Sequence, residues 1–314
     1  MREYKYYIKI SDLGRRLDLT LKDYLQNISR NNIISLIKQG KVRIKNEIIK
    51  VPSYRIKCEG TVSIKLEDID KYKKSISIDL NIVFEDKDLI ILNKPAGILT
   101  HSSQNNNNLS LVDLLKKNNK TLFNSDDDYR PGVVHRLDKD TSGLIIFAKN
   151  TTTGINLKEQ FASRTIKKVY EAIVWGKANP VSGVVDFPIT NYLNRKKVTV
   201  KANGKYAFTK YKEIKSYLSY FSLLECKIHT GRTHQIRVHM RSLGCPLIGD
   251  NLYAKDRNFS KTIPFDKTNA ITKFKRQALH AKEISFFHPQ KKKKMTFRVK
   301  KPNDMDVLER TLFD

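Results

Sequence analysis

The stretch Arg130-Pro131-Gly132-Val133-Val134-His135-Arg136-Leu137-Asp138-Lys139-Asp140-Thr141-Ser142-Gly143 is dense in polar and turn-forming residues. It runs directly into the apolar segment Leu144-Ile145-Ile146-Phe147-Ala148. A polar loop anchored by a rigid strand holds a catalytic group well. Asp138 has three chemical uses in such a place: nucleophile, general base or metal ligand. Taken alone, it reads as a turn aspartate bonding its own backbone.

A second constellation is His229-Thr230-Gly231-Arg232-Thr233-His234-Gln235-Ile236-Arg237-Val238-His239-Met240-Arg241. Gly231 ends a strand, Thr233 stands where an N-cap is expected, and a helix then runs to Leu243-Gly244. Ile236, Met240 and Leu243 share the core face of that helix, and His234, Arg237 and Arg241 share another. An arginine at a helix start can pair with a buried carboxylate, holding it ionised and aimed. The alternative is a set of solvated or phosphate-binding cations. A metal site is not expected. His234 and His239 lack the i,i+4 spacing of a helical zinc pair, and no Glu or Cys accompanies them. His135, Asp138 and Asp140 are compatible with a hard metal, but nothing else in the sequence supports one.

These segments need a scaffold. Residues 12 to 66 read as a compact unit. Leu17, Leu21 and Leu25 repeat at helical spacing, and a second helix starts at the N-cap Ser29, carries Ile33, Ile34, Leu36 and Ile37, and stops at Gly40. Val42 and Ile44 alternate with Lys41, Arg43 and Lys45 in a short strand, and another strand spans Thr61 to Leu66. The charged run 67–78 is the expected linker. Beyond it, Ile82-Val83-Phe84 and Leu89-Ile90-Ile91-Leu92 flank Glu85-Asp86-Lys87-Asp88 as a hairpin. Asn105 to Asn108 reads as a surface loop. Helices are expected around Leu111–Leu115 and Ile155–Phe161, with strands at Gly143–Ala148, Lys167–Trp175, Phe221–Ile228 and Ile284–Phe287. Strands outnumber helices without regular βαβ alternation. The fold class expected is therefore α+β with a mixed, mainly antiparallel sheet.

Bulk composition bounds the partners. The 314 residues suffice for a large domain plus a small one, and 39% apolar content with 14 Phe and 14 Tyr can build a core. Lys and Arg number 60 against 32 Asp and Glu, a formal charge of +28 that attracts polyanions, nucleic acid first among them. Biased coding would also raise the lysine count. Cys58, Cys226 and Cys245 lie far apart, which fits a reducing compartment and neither disulfides nor zinc. The N-terminus lacks the apolar core of a signal peptide, and no run reaches the ~18 apolar residues of a membrane span. A cytoplasmic protein without a membrane partner is expected, and a monomer by default.

Arg15-Arg16-Leu17-Asp18, Ser29-Arg30 and Gly40-Lys41-Val42-Arg43-Ile44 resemble the S4 RNA-binding domain over about the first 70 residues. The resemblance implies RNA contacts from Arg16, Arg30, Lys41 and Arg43. One departure is Asn46-Glu47 where the family has Asn-Gly, since a residue with a Cβ is less comfortable at positive φ. Asn93-Lys94-Pro95-Ala96-Gly97, His135 to Gly143, Lys168-Val169-Tyr170 and Gly231 to His239 resemble the RluA-type pseudouridine synthases, in family order. The related RsuA-type enzymes also carry S4 domains, but their Asp motif typically lacks the His-Arg start.

The resemblance implies an S4-like domain at 1–70, a linker at 71–79 and a catalytic domain of the pseudouridine synthase fold at 80–314. It implies isomerisation of uridine in RNA without a cofactor. Asp138 would be the catalytic carboxylate, acting on the sugar or the base or assisting glycal formation. Arg237 would pair with it, Arg232 being the weaker candidate. Tyr170 would stack on the uracil and help remove the C5 proton, where the plainer reading is a half-buried strand tyrosine. The target base must leave its stack, and Arg136 would fill the vacated space. His135, Arg232 and His234 would contact RNA, and Leu144 and Ile145 would supply apolar walls. Arg195-Lys196-Lys197 is a further candidate backbone contact, and Lys291 to Lys294 a surface turn. S4-bearing members of this type mostly act on large-subunit ribosomal RNA or its precursor particle, and Gly204-Lys205-Tyr206-Ala207-Phe208-Thr209-Lys210-Tyr211 looks more like the RluD branch than the RluC branch. The alternatives are a tRNA target, a metal-dependent RNA hydrolase using His135, Asp138 and Asp140, and a non-enzymatic ribosome-assembly factor.

Overall fold

The structure is a computed structural model that describes residues 2–25, 30–66, 80–102, 109–123, 130–191, 197–255 and 262–314. Ser29, the linker at 71–79, the loop at 105–108, and Arg195 with Lys196 lie outside the described residues. The chain forms two compact units, 1–79 with 102–108, and 80–101 with 109–314.

In the first unit, β1 (Arg2–Ile8), β2 (Val42–Ile44), β3 (Glu47–Ile48) and β4 (Gly60–Leu66) form a sheet in the order β1-β4-β2-β3, every pair antiparallel. Strand β1 lies outside the 12–66 unit expected from the sequence. Helices α1 (Leu17–Tyr24) and α2 (Arg30–Lys38) bury Leu17, Leu21, Ile33 and Ile37 in one core with Val42, Ile44, Val62 and Ile64. The turn between β2 and β3 places Lys45 (φ 47°) and Asn46 (φ 71°) at positive φ, so Glu47 already belongs to the strand. That pair of positive φ values is what a two-residue hairpin turn requires, and Asn tolerates it best among residues with a Cβ. The departure from Asn-Gly therefore falls outside the strained pair.

Asp18 is wholly buried at the start of α1. Arg16 donates to it from Nε and Nη2 (3.0 and 3.2 Å), and Arg30 from Nε and Nη2 (3.0 and 2.7 Å). Burial alone would raise this carboxyl, but the bonds from Arg16 and Arg30 outweigh it and hold the pKa below the ordinary carboxylate range. Both arginine side chains stay more than 40% exposed, so each links the buried acid to the surface.

The second unit is built on a nine-stranded sheet. Its strands are β5 (Ile82–Glu85), β6 (Leu89–Lys94), β7 (Ser142–Ala148), β8 (Lys167–Trp175), β9 (Ser182–Val185), β12 (Thr209–Tyr217), β13 (Phe221–Ile228), β14 (Leu279–Phe287) and β15 (Lys294–Arg298). The order is β5-β6-β7-β14-β8-β13-β12-β9, with β15 on β14, and β10 (Ile189–Asn191) and β11 (Val198–Val200) form a separate hairpin. Among the described residues β7–β14 is the one parallel pair. Helices α3 (Leu111–Lys117), α4 (Thr151–Ala162), α5 (Gln235–Ser242), α6 (Phe265–Lys273) and α7 (Asn303–Phe313) complete the unit. This is the α+β, mainly antiparallel class.

Strand β7 is buried along its whole length, as its unbroken apolar run requires of a central strand. Gly143 sits in it at φ +114°, and a Cβ there would lie 2.3 Å from the Ala281 carbonyl oxygen. Only glycine lets the two backbones approach this closely. Gly143 pairs with Ala281, Ala281 with Tyr170, and Tyr170 with Cys226, so one row across the sheet joins the Asp138 loop to Tyr170. Among the described residues no helix is long and apolar enough to cross a membrane.

Candidate active site

The loop before β7 is held by its neighbours' backbone and by two buried side chains. The Lys94 ammonium, fully buried at the end of β6, donates to the carbonyls of Pro95 (2.9 Å), Ile98 (2.8 Å) and Lys139 (2.7 Å). Burial pushes its pKa down to about 7, against the pull of Asp140 and Asp138. Thr100 Oγ1 donates to the Leu137 carbonyl (3.1 Å) and accepts the Leu137 N–H (3.2 Å). The Gly97 N–H bonds the Lys139 carbonyl, and the Thr141 N–H closes a turn on the Asp138 carbonyl (3.1 Å). The backbone on either side of Asp138 is thus fixed, leaving its carboxylate to face a cleft.

Arg237 Nη1 donates to Asp138 Oδ2 at 3.1 Å. Its Nε and Nη2 donate to Asp250 Oδ2 and Oδ1 at 2.6 and 2.9 Å. The guanidinium is buried. Burial disfavours its charge, but the bonds to Asp250 and Asp138 outweigh that and raise its pKa. Asp250 is itself pinned, because Oδ1 also accepts the N–H groups of Leu252 and Tyr253 (3.0 and 3.2 Å). Arg232 takes no part in this pairing. It is exposed and donates through Nε to the Tyr206 carbonyl (3.0 Å).

Helix α5 differs from the expectation at its start. The N-cap is His234, at φ 52° in the left-handed region, with no side-chain cap bond, and Thr233 is exposed. The Gln235 side chain instead ties the helix start to the preceding loop: its Oε1 accepts the Arg232 N–H (3.0 Å) and the Thr230 hydroxyl (2.7 Å). Gln235 through Met240 are all buried, while Arg241, four residues on from Arg237, is exposed and donates through Nη1 to the Tyr253 carbonyl (3.1 Å). The polar members of this run are buried because the scaffold satisfies them. His239 Nε2 donates to the Phe187 carbonyl (3.0 Å), so its Nδ1 accepts the Thr209 hydroxyl (2.9 Å).

Around Asp138 a cleft of about 320 Å³ is lined by His135, Arg136, Phe161, Lys168, Tyr170, His234 and Arg237, among others. Tyr170 is buried in β8, and burial together with the Asp138 charge raises its phenol well above the ordinary value. It therefore rests as the neutral phenol, suited to stacking rather than to acting as a resting base. His135 Nε2 accepts the Ile146 N–H (2.9 Å), and its ring stacks on Phe161 with centroids 4.6 Å apart. Burial pushes its pKa down to about 3, so it is a neutral wall of the cleft. Arg136 is exposed at the rim. His234 Nε2 stands 3.8 Å from Asp138 Oδ2.

Several residues of the site carried no signal of their own in the sequence. Asp250, Tyr253 and Phe161 are separated in the chain from both motifs, and Lys94 and Lys168 sit inside motifs without an evident task. Burial pushes the Lys168 ammonium down to about 8, and it donates to the Thr230 carbonyl (3.4 Å). Lining the cleft, this buried lysine can offer its ammonium to a ligand.

His135, Asp138 and Asp140 do not converge as a metal site. Among the described residues one group of metal-ligand type lies elsewhere, formed by Asp86, Asp88 and His288 with ligand atoms within 4.8 Å. There His288 Nδ1 accepts the Gln290 and Lys291 N–H groups (3.3 and 3.1 Å), so Nε2 carries the proton and donates to Asp86 Oδ2 (2.9 Å). Lys291 Nζ also reaches that oxygen (2.6 Å). The group is an ion-paired clasp already supplied with a cation.

A basic chain with a half-buried, arginine-held aspartate in a cleft lined by a tyrosine agrees with what the sequence resembles. Residues 88–242 match the RNA pseudouridylate synthase family and residues 15–62 match the S4 domain. Ribosomal large subunit pseudouridine synthase D of Zymomonas mobilis is 37% identical over 307 residues, spanning 96% of this chain and 94% of that protein. The chain belongs to the RNA pseudouridine synthase family. An RNA pseudouridine synthase of Aquifex aeolicus, itself uncharacterized, is 35% identical over 94% of this chain and 92% of its own length. The solved structure of human RNA pseudouridylate synthase domain containing 4 superposes with a TM-score of 0.59 at 26% identity, over 74% of this chain and 92% of that one. As a pseudouridine synthase the protein is an RNA-binding isomerase.

Proposed function

We propose that the chain isomerises uridines in large-subunit ribosomal RNA or its precursor particle, with Asp138 as the catalytic carboxylate. The observation that carries this reading is the Asp138–Arg237–Asp250 arrangement, which holds one carboxylate paired with arginine in the cleft that Tyr170 lines. The target is supported by relatives such as the Zymomonas mobilis protein, whose name states that substrate. The resemblance of Gly204 to Tyr211 to the RluD branch supports it further.

The reaction breaks the bond from uracil N1 to ribose C1′ and forms one from C5 to C1′. The C5 proton leaves and N1 regains one, so atoms and electrons balance without a redox partner or a donated group. In this reading Arg237 pairs with Asp138 and orients it, Tyr170 stacks on the uracil and Arg136 fills the space the flipped base vacates. His135, Arg232 and His234 contact RNA at the cleft. Arg16, Arg30, Lys41 and Arg43 contact backbone phosphates from an S4-like domain at 1–70, tied by a linker at 71–79 to a catalytic domain at 80–314. The protein works as a cytoplasmic monomer.

Tritium release from 5-tritiated, unmodified RNA tests the target. Release from large-subunit ribosomal RNA or its precursor particle, undiminished by EDTA and without change in chain length, is expected. Release from tRNA alone would contradict the proposed substrate, and chelator-sensitive strand cleavage would replace the reaction with hydrolysis.

A further inference from the structure

Tyr253 touches every component of the Asp138–Arg237–Asp250 arrangement except Asp138 itself. Its N–H bonds Asp250 (3.2 Å), and its ring lies 5.1 Å from the Arg237 guanidinium carbon. Its hydroxyl accepts the Val198 N–H of the β10–β11 hairpin at 2.9 Å and lies 3.0 Å from His234 Nδ1. The hydroxyl is buried, so its own proton needs an acceptor. Among the described residues His234 Nδ1 is the acceptor within reach. The hydroxyl therefore donates to Nδ1, and the proton of the neutral imidazole moves to Nε2. Burial lowers the His234 pKa, which keeps the ring neutral near pH 7. The Nε2–H then faces Asp138 Oδ2 at 3.8 Å. In the other tautomer a lone pair would face that carboxylate, and the two negative regions would repel.

We propose that Tyr253 is a positioning residue: oriented by the Val198 amide, its hydroxyl fixes His234 as the Nε2–H tautomer, so that an N–H rather than a lone pair faces Asp138. The β10–β11 hairpin stands outside the main sheet and shares a core with Tyr253 and Val238 of α5. A shift of the hairpin that breaks the Val198 bond frees the hydroxyl to turn, and the change reaches the site through two hydrogen bonds. This coupling rests on the reading of Asp138 as the catalytic carboxylate, but the tautomer does not.

Tyr253→Phe tests it on the full chain, because the ring stays against Arg237 and the hydroxyl alone is lost. Two readouts are taken: the His234 tautomer from its ¹⁵N resonances, and single-turnover tritium release beside RNA affinity. The expected result is that the Nδ1–H tautomer appears beside Nε2–H, which Asp138 still favours, with a roughly tenfold slower turnover and RNA affinity within about twofold. Val198→Pro keeps the hydroxyl and deletes the amide donor at the first residue of its strand, where proline is best tolerated. It should shift both readouts in the same direction by a smaller amount. An unchanged tautomer in Tyr253→Phe overturns the proposal whatever the rate does. A changed tautomer with unchanged turnover overturns the coupling. Val198→Pro without effect on either readout removes the hairpin from it. Full activity of Asp138→Asn in the same assay would instead overturn the assignment of Asp138.

Discussion

Arg237 spends three nitrogens on two carboxylates, and that geometry decides which substitutions it tolerates. Lysine would keep the charge but carries one ammonium in place of a planar fork, so it cannot bridge Asp138 and Asp250 in the same way. Arg237→Lys is expected to lower single-turnover tritium release about 100-fold or more while RNA affinity stays within severalfold. A variant with near-normal turnover would show that the fork is dispensable. Tyr170 is constrained differently. Burial and the Asp138 charge keep its phenol protonated, so its contribution at neutral pH is the stacked ring and a donor O–H.

The element that matters most is the loop between the end of β6 and β7, because Asp138 has no regular structure of its own. Lys94 is its anchor, with three carbonyls around one buried ammonium. Lys94→Met keeps much of the volume and removes every donor, leaving buried acceptors unmade. Chemical denaturation should show a loss of ~2–4 kcal/mol, and turnover should fall with it. Stability equal to the parent would mean the carbonyls find water or other donors. The positions of these elements were largely legible in the sequence, since apolar runs such as Leu89–Leu92 and Leu144–Ala148 leave little choice but central strands. The tasks within them were not. Lys94 reads as one lysine among many until the fold closes three carbonyls around it. Asp250 lies 13 residues beyond Arg237, at no helical or strand spacing from it. At the start of α5, Thr233 is the better N-cap by residue type, but the bonds of Gln235 to Arg232 and of Tyr253 to His234 hold the N-cap at His234, at positive φ. Strand β1 has no apolar alternation to mark it, being mostly exposed up to Ile8, and its partner β4 lies more than fifty residues away.

For the molecule as a whole, the formal charge of +28 suits a phosphate-rich partner and makes RNA affinity fall as salt rises. Acid works on the protein by another route. His280 is fully buried, with Nε2 donating to the Val299 carbonyl (3.4 Å) and Nδ1 accepting the Ser142 hydroxyl (3.0 Å). Burial pushes its pKa down to about 4, below the ordinary value of 6.5. The unfolded chain therefore takes the proton first as pH falls. The stability tied to neutral His280 is complete above about pH 6.5 and is lost progressively towards about pH 4. His135, pushed down to about 3, adds to the same slope. Trp175, the chain's one tryptophan, is buried in β8 and reports unfolding of this unit. Its fluorescence should show stability falling between pH 6.5 and 4, and His280→Gln should make that slope shallower. An identical slope in the variant would mean that other groups govern it.

Asp138→Asn tests the central claim most directly, because it keeps the shape of the side chain and removes its negative charge. Tritium release and RNA affinity are measured on the same unmodified large-subunit ribosomal RNA. The account predicts that release is abolished while affinity stays within severalfold of the parent. Release at a rate comparable to the parent would contradict it.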